Sequence, residues 1–313
     1  MKNLNKEKLF LTLSMSIFGT IGIFRKYIPL PSGTVAAFRG YIGVLFLILV
    51  FLLKRKKPDI SAIKNNFILL ILSGAFIGFN WILLFEAYNF TSVATATLCY
   101  YMAPVIVTLV SPIVLKERLT PVKLICIFTS LLGMALVSGI LDSDQSSSSG
   151  FKGILLGLGA AVFYASVILL NKKIKNIDSM DKTSLQLFFA SSVILPYIFI
   201  AESVAPADIF SPKTLIFLLI VGVVHTGFAY TLYFGSVGAL PAQTVAIFGY
   251  IDPVLSVVLS AIVLNEKMTL LGIIGALLIL GSTLFSEIYP YLKKQSTIAE
   301  KQPPVPSSAH KAK

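Results

Sequence analysis

Two stretches decide how this chain reads: YMAPVIVTLVSPIVLKERLT at residues 101–120 and YIDPVLSVVLSAIVLNEKMT at residues 250–269. Laid in register, Tyr101, Pro104 and Val105 meet Tyr250, Pro253 and Val254. Further on, Ser111, Ile113-Val114-Leu115, Glu117 and Thr120 meet Ser260, Ile262-Val263-Leu264, Glu266 and Thr269. The same offset of 149 residues, Pro253 against Pro104, carries the match upstream without a gap, where Gly78, Phe79, Leu83 and Phe85 meet Gly227, Phe228, Leu232 and Phe234. A match of that length marks a duplicated unit. Each copy is an apolar run with an early proline and a short charged turn at its end.

Outward from these copies the chain stays apolar. Hydrophobic residues make up 56% of its 313 residues, charged ones 13%, and the mean hydropathy is +0.86. That leaves too little polar surface to clothe a soluble globule, so the lipid bilayer is the expected solvent. The formal charge of +12 sits in short Lys and Arg clusters between apolar runs, not on one basic face, which speaks against nucleic acid as a partner. Cys99 and Cys126 both lie inside apolar runs and are expected to be inert thiols, with no disulfide and no metal-ligand spacing. The first apolar run has no small-x-small cleavage site before Arg25, and it reads as a membrane anchor instead of a removed leader.

A membrane-spanning helix needs about 20 apolar residues. Ten segments qualify, near 8–25, 33–53, 66–87, 91–115, 121–141, 151–171, 184–201, 213–234, 241–264 and 269–289. Thr120-Pro121 and Ser211-Pro212 are helix starts, with a hydroxyl cap and proline at the first position. The stretch 142–150, with its run of serines, is expected to be a linker, and 290–313 a disordered cytoplasmic tail. On this reading 20 of the Lys and Arg residues fall on the side of the termini and 5 on the other. The positive-inside rule then puts both termini in the cytoplasm, in a multi-pass protein of the plasma or inner membrane.

The fold expected is therefore all-α and integral to the membrane: ten transmembrane helices as two five-helix repeats, residues 1–141 and 151–289. Five is odd, so the second unit crosses the membrane in the opposite sense, as in the inverted repeats of secondary transporters.

Several short motifs carry a family likeness. They are Phe38-Arg39, Phe85-Glu86-Ala87, Thr91-Ser92-Val93-Ala94, Ala103-Pro104-Val105 and Leu115-Lys116-Glu117-Arg118-Leu119-Thr120, then Asp252-Pro253-Val254 and Leu264-Asn265-Glu266-Lys267-Met268-Thr269. As a set they resemble the EamA-type branch of the drug/metabolite transporter superfamily, from about residue 8 to 289. The resemblance implies a ten-helix carrier, with a central cavity lined mainly by spans 1, 3, 4, 6, 8 and 9, that moves metabolites such as amino acids without ATP. Many relatives are exporters. The chain departs from its own symmetry at Asp252, whose counterpart is Ala103.

Charges inside the hydrocarbon are the functional pointers, since one at a helix centre costs about 2.5–3.5 kcal/mol on insertion scales. Asp252, near the middle of span 9, can bind a substrate ammonium, exchange a proton, or serve structurally through a hydrogen bond. His225 in span 8 can relay a proton or bond a neighbouring helix. Arg39 in span 2 can bind a substrate carboxylate or pair with an acidic group such as Glu86, itself at the outer end of span 3. Pro104 and Pro253 cannot bond the carbonyls of Tyr100 and Gly249, so they read as matching hinges. Tyr100, Tyr101, Tyr164, Tyr230, Tyr233 and Tyr250, with Trp81 and Asn80, supply aromatic surface with polar tips, either for a cavity or for packing. Gln243 is a weaker candidate of the same kind. Glu117 and Glu266 read as capping and turn residues, and the pairs Gly74/Gly78 and Gly153/Gly157 as close-packing sites.

The function expected is secondary transport of a small organic solute, amino acids or derivatives first because Asp252 and Arg39 can complement a zwitterion. A nucleotide-sugar carrier ranks second, since a diphosphate calls for several basic groups in the core and Arg39 stands alone there. An intramembrane enzyme finds no HExxH, GxSxG or paired-aspartate helix, and ATP no GxxxxGK[ST]. No cofactor is expected. A receptor would leave the inverted repeat without a purpose.

Overall fold

The computed structural model describes residues 4–55, 57–116, 119–138, 148–237, 239–240 and 242–301. Every regular element among them is helical. The first half runs α1 (Leu4–Lys26), α2 (Ser32–Leu53), the short α3 (Ile60–Asn65), α4 (Phe67–Phe90), α5 (Val93–Tyr100), α6 (Ala103–Val114) and α7 (Pro121–Val137). The second runs α8 (Ser148–Asn171), α9 (Ser179–Ala201), α10 (Pro206–Ile209), α11 (Pro212–Leu219), a π segment (Ile220–Phe228), α12 (Ala229–Val237), α13 (Ala242–Gly249), α14 (Ile251–Val263) and α15 (Leu270–Lys301).

The starts are where local chemistry places them. Thr120 accepts from the Lys123 amide ahead of Pro121, and Ser211 from the Thr214 amide ahead of Pro212. Among the described residues, eight helices are long and apolar enough to cross a membrane, counting Val93–Val114 and Pro212–Ser236 through their irregular middles. Two more apolar helices, Pro121–Val137 and Ile247–Val263, are shorter. The lipid-facing character is plain at Phe199 and Ile200, which are 83% and 87% exposed.

Three sequence expectations change. Span 4 is not one helix but two, α5 and α6, separated at Tyr101 and Met102. Helix α8 already begins at Ser148, inside the stretch expected to be linker, and residues 139–147 lie outside the described residues. Helix α15 continues through Pro290 to Lys301, so the first part of the expected tail is helical. The good helix formers Leu292, Lys293 and Lys294 follow that proline. Residues 302–313, Glu117 and the side chain of Gln243 lie outside the described residues.

The duplication is visible in the backbone. Helices α5 and α13 share both bounds at the 149-residue offset, α6 and α14 share their last residue, and α7 and α15 their first. The turns after α6 and α14 even repeat a left-handed residue, Lys116 at φ 58° and Asn265 at φ 54°. Yet the two sequence halves do not form separate bundles. Helix α4 packs on α8 and α9, α2 on α9 and the π segment, α1 on α12 and α14, and α7 on α15.

These crossings rest on small residues. A Cβ on Gly78 would stand 2.6 Å from the Ala190 carbonyl oxygen of α9, and one on Gly153 would stand 2.8 Å from the Thr91 side chain. Where α7 meets α15, Cβ atoms on Gly133 and Gly275 would lie 2.7 and 2.5 Å from each other's carbonyl oxygens, and Ser130 and Ser282 hydrogen-bond at 2.7 Å beside them. Gly133→Val is therefore expected to force α7 off α15 at about 1–3 kcal/mol and lower the Tm in detergent by several degrees. Gly281→Ala, where an added Cβ meets nothing within 4 Å, should not lower it. Equal melting of Gly133→Val and the parent chain would show that the two helices do not touch there.

Candidate functional site

The site grows from two interrupted helices. Proline has no amide hydrogen and its ring crowds the carbonyl four residues back; at Pro104 and Pro253, unlike Pro112, Pro196 and Pro290 inside helices, one helix ends and a new one starts with proline in its first turn. Helix α5 closes at Tyr100, with the Met102 amide turned onto the Cys99 carbonyl at 3.1 Å. Helix α13 closes at Gly249, with the Tyr250 amide on Ile247 at 3.2 Å. Each proline thus marks a break and not a bend within a continuous helix.

The break gives Asp252 its place in the first turn of α14, where unpaired backbone amides favour a negative charge. Helices α5 and α14 cross here. The Thr97 and Ser256 hydroxyls meet at 3.2 Å, and just beyond them Tyr101 donates its hydroxyl to Asp252 Oδ2 at 2.9 Å. Asp252 is half-buried, and among the described residues no Lys, Arg or His pairs with it. Helix α1 closes the back of the crossing, since a Cβ on Gly19 would sit 2.7 Å from the Asp252 carbonyl oxygen.

Aromatic rings surround this carboxylate. Tyr100 packs edge-on to Tyr101 at 5.7 Å between ring centres and meets Tyr164 of α8 at 5.0 Å. A second group joins Phe18 of α1 to Tyr230 and Tyr233 of α12 at 5.1 and 6.3 Å, with Phe234 stacked on Tyr230.

Arg39 is buried on α2. Its guanidinium lies 4.2 Å over the Trp81 ring and 5.4 Å over Phe85, while Nε donates to Thr226 Oγ1 at 3.0 Å. Thr226 in turn donates to the Val221 carbonyl, a reach of five residues that the π segment makes possible. The pairing of Arg39 with Glu86 does not form. Glu86 instead accepts from Ser32 at 2.8 Å and Asn89 at 3.0 Å, and Ser32 accepts from Arg25 at 3.0 Å. A planar guanidinium matches the face of an indole, so Arg39 is held without a carboxylate.

The remaining predicted residues hold helices together. His225 Nε2 hydrogen-bonds Thr20 of α1 at 2.8 Å, with its ring against Phe24. Asn80 donates to the Ala160 carbonyl of α8 at 2.7 Å. The Tyr250 hydroxyl lies beside Thr283 of α15, turned away from its sequence counterpart's partner. Sequence reasoning missed Phe18, Phe234 and Thr226, which look like ordinary membrane-helix residues until the fold gathers them. A cavity of about 130 Å³ between α6, α7, α8 and α15, with Thr108, Ser130 and Glu287 on its walls, borders the crossing only through Pro104.

Apolar helices of membrane-spanning length, two of them broken at prolines and crossing at a carboxylate, are the build of a multi-pass membrane transporter. The chain belongs to the EamA-like transporter family, whose model matches residues 5–139 and again residues 151–287. It is 31% identical to "Uncharacterized transporter YxxF" of Bacillus subtilis (strain 168) over 269 residues, which is 86% of this chain and 85% of that one. It is also 25% identical to human "Solute carrier family 35 member G1", over 90% of this chain and 78% of the relative. A solved crystal structure superposes with a TM-score of 0.62 at 19% identity, over 90% of this chain and 98% of its own, a likeness of fold alone.

Trp81 is the chain's one tryptophan, so its fluorescence reads the Arg39 contact directly. Arg39→Gln should alter Trp81 emission and lower the Tm, whereas Glu86→Gln should leave the emission unchanged. An emission change from Glu86→Gln as large as that from Arg39→Gln would contradict the arrangement.

Proposed function

We propose that the chain is a secondary carrier that exports a small organic metabolite, an amino acid or a derivative, by alternating access. Ten helices cross the membrane as two inverted five-helix repeats, with both termini in the cytoplasm. The observation that carries this reading is the Asp252–Tyr101 contact at the crossing of the two broken helices. A half-buried carboxylate with no cationic partner among the described residues and tyrosine faces around it suits a substrate ammonium group. Arg39 engages Thr226 through Nε, and its two terminal nitrogens are left to meet a carboxylate. A nucleotide sugar fits poorly, because of the two buried arginines Arg39 is stacked on Trp81 and Arg25 is bound to the Ile28 carbonyl and Ser32.

Alternating access is supported by unequal packing at the two ends. Toward Glu86, Glu202 and Glu266, α5 and α14 pack together through Thr97 and Ser256. Toward the basic loops, Gly235 and Gly249 look onto open space. With the basic loops in the cytoplasm, looser packing on that side suits a site reached from the cytoplasm, and so export. The prolines place the flexible joints at the depth of Asp252. Because the halves interleave, the moving parts are the half-helices on either side of those joints and not two sequence halves rocking as blocks.

In proteoliposomes the chain should show saturable flux of at least one amino acid. Asp252→Asn should reduce it by tenfold or more with Tm retained, while Asn80→Asp should lower stability before flux, because its amide bonds a backbone carbonyl. Equal flux from Asp252→Asn and the parent chain would remove Asp252 from the site. A C-terminal tag should be reached by antibody in whole cells only after permeabilisation, and labelling of intact cells would overturn the orientation.

A further inference from the structure

We propose that Glu202 and Glu266 are the gate of this carrier, two carboxylates of the second repeat that hold the outer end shut by clasping helix N-termini of the first repeat. The proposal rests on the carrier reading above. Helix α2 begins after Pro31, which offers no capping side chain. Its exposed amides are met from across the bundle: Glu202, just past α9, accepts from the Gly33 amide at 2.7 Å and from the Thr34 amide and hydroxyl at 2.8 and 2.7 Å. Glu266, in the turn after α14, accepts from the Val93 amide at the start of α5 at 2.8 Å. The same carboxylate takes the Ser260 hydroxyl and stands 3.7 Å from the Lys26 ammonium.

Three features make these contacts a gate instead of ordinary capping. Local caps come from the residue just before the helix, as Ser92 caps the Thr95 amide, whereas Glu202 and Glu266 reach 168 to 173 residues along the chain. Both join pieces of different repeats, so any motion that parts α5 from α14 must break the Glu266 contact. Helix α2 carries Arg39, so motion of α2 against α9 breaks the Glu202 contact and moves one wall of the site. Both also lie at the end where Thr97 and Ser256 pack, above Asp252.

A hydrogen bond from a backbone amide to a charged carboxylate shifts an equilibrium by about tenfold or more, so each clasp favours the closed outer end. The Lys26 pair is partly exposed and adds less. Opening therefore needs a compensating set of contacts at the other end, which is what a carrier alternating between two forms requires.

The test uses the full chain in membranes with Cys99→Ala and Cys126→Ala, and reads the rate of labelling by an impermeant maleimide. One reporter, Thr97→Cys, lies between α5 and α14 and is reached from outside only when they part. The other, Gly235→Cys, faces the open space toward the cytoplasm. Glu266→Gln and Glu202→Gln should each raise outside labelling of Thr97→Cys about tenfold and lower cytoplasmic labelling of Gly235→Cys, with Lys26→Met doing much less. Should Glu266→Gln fail to insert, Glu202→Gln carries the same reading. Unchanged labelling in folded variants would overturn the gate, as would a rise at both reporters together, which is loosening and not exchange. The labelling involves no substrate, so failure of the gate and failure of the substrate assignment are told apart.

Discussion

A backbone hydrogen bond lost inside a bilayer has no water to replace it, and Pro104 and Pro253 each remove one at the middle of an apolar run. The chain answers by ending one helix and starting another, and the rest of the site follows from that. The break puts Asp252 in the first turn of α14, the end of a helix where a negative charge is favoured. At the matching break, Tyr101 at the end of α5 reaches across to the carboxylate with its hydroxyl. The two interruptions fall at one depth because the chain is a repeat, and they cross because α5 and α14 pack.

Interleaving of the halves has a second consequence. With α4 on α8, α2 on α9 and α7 on α15, almost every large interface joins the two repeats. The start of α2, which Pro31 leaves without a local cap, is capped from the other repeat by Glu202, and α5, capped locally by Ser92, gains a further acceptor for its Val93 amide from Glu266. The polar contacts that complete secondary structure are thus the same contacts that hold one arrangement of the repeats against another. Small residues keep these interfaces close enough for such bonds to form, Gly43 against Thr226 and Gly222 against Ile42 where α2 meets the π segment.

Arg39 and Glu86 show where reading along the chain stops being informative. Both are charges in apolar surroundings, and opposite charge argues for a pair. The fold gives each a different partner because α2 presents Arg39 to Trp81 and Thr226, while Glu86, at the last turn of α4, meets the start of α2. Tyr101 and Tyr250 are equivalent by repeat, yet one meets Asp252 and the other Thr283. The repeat is broken by Asp252 against Ala103, and that one substitution makes the two tyrosines chemically unequal.

The sequence by itself determined the helical class, the apolar runs, their starts and the two matching prolines, because hydropathy, capping and the missing proline amide act within a few residues. The repeat was equally legible, down to helix bounds that recur at 149 residues. Which polar groups meet was decided by tertiary structure alone. Ser32 and Glu86 are 54 residues apart, Glu202 and Thr34 are 168, and Thr20 and His225 are 205. Contacts at such separations depend on how helices are rotated and how closely glycines let them approach, and no local pattern encodes either.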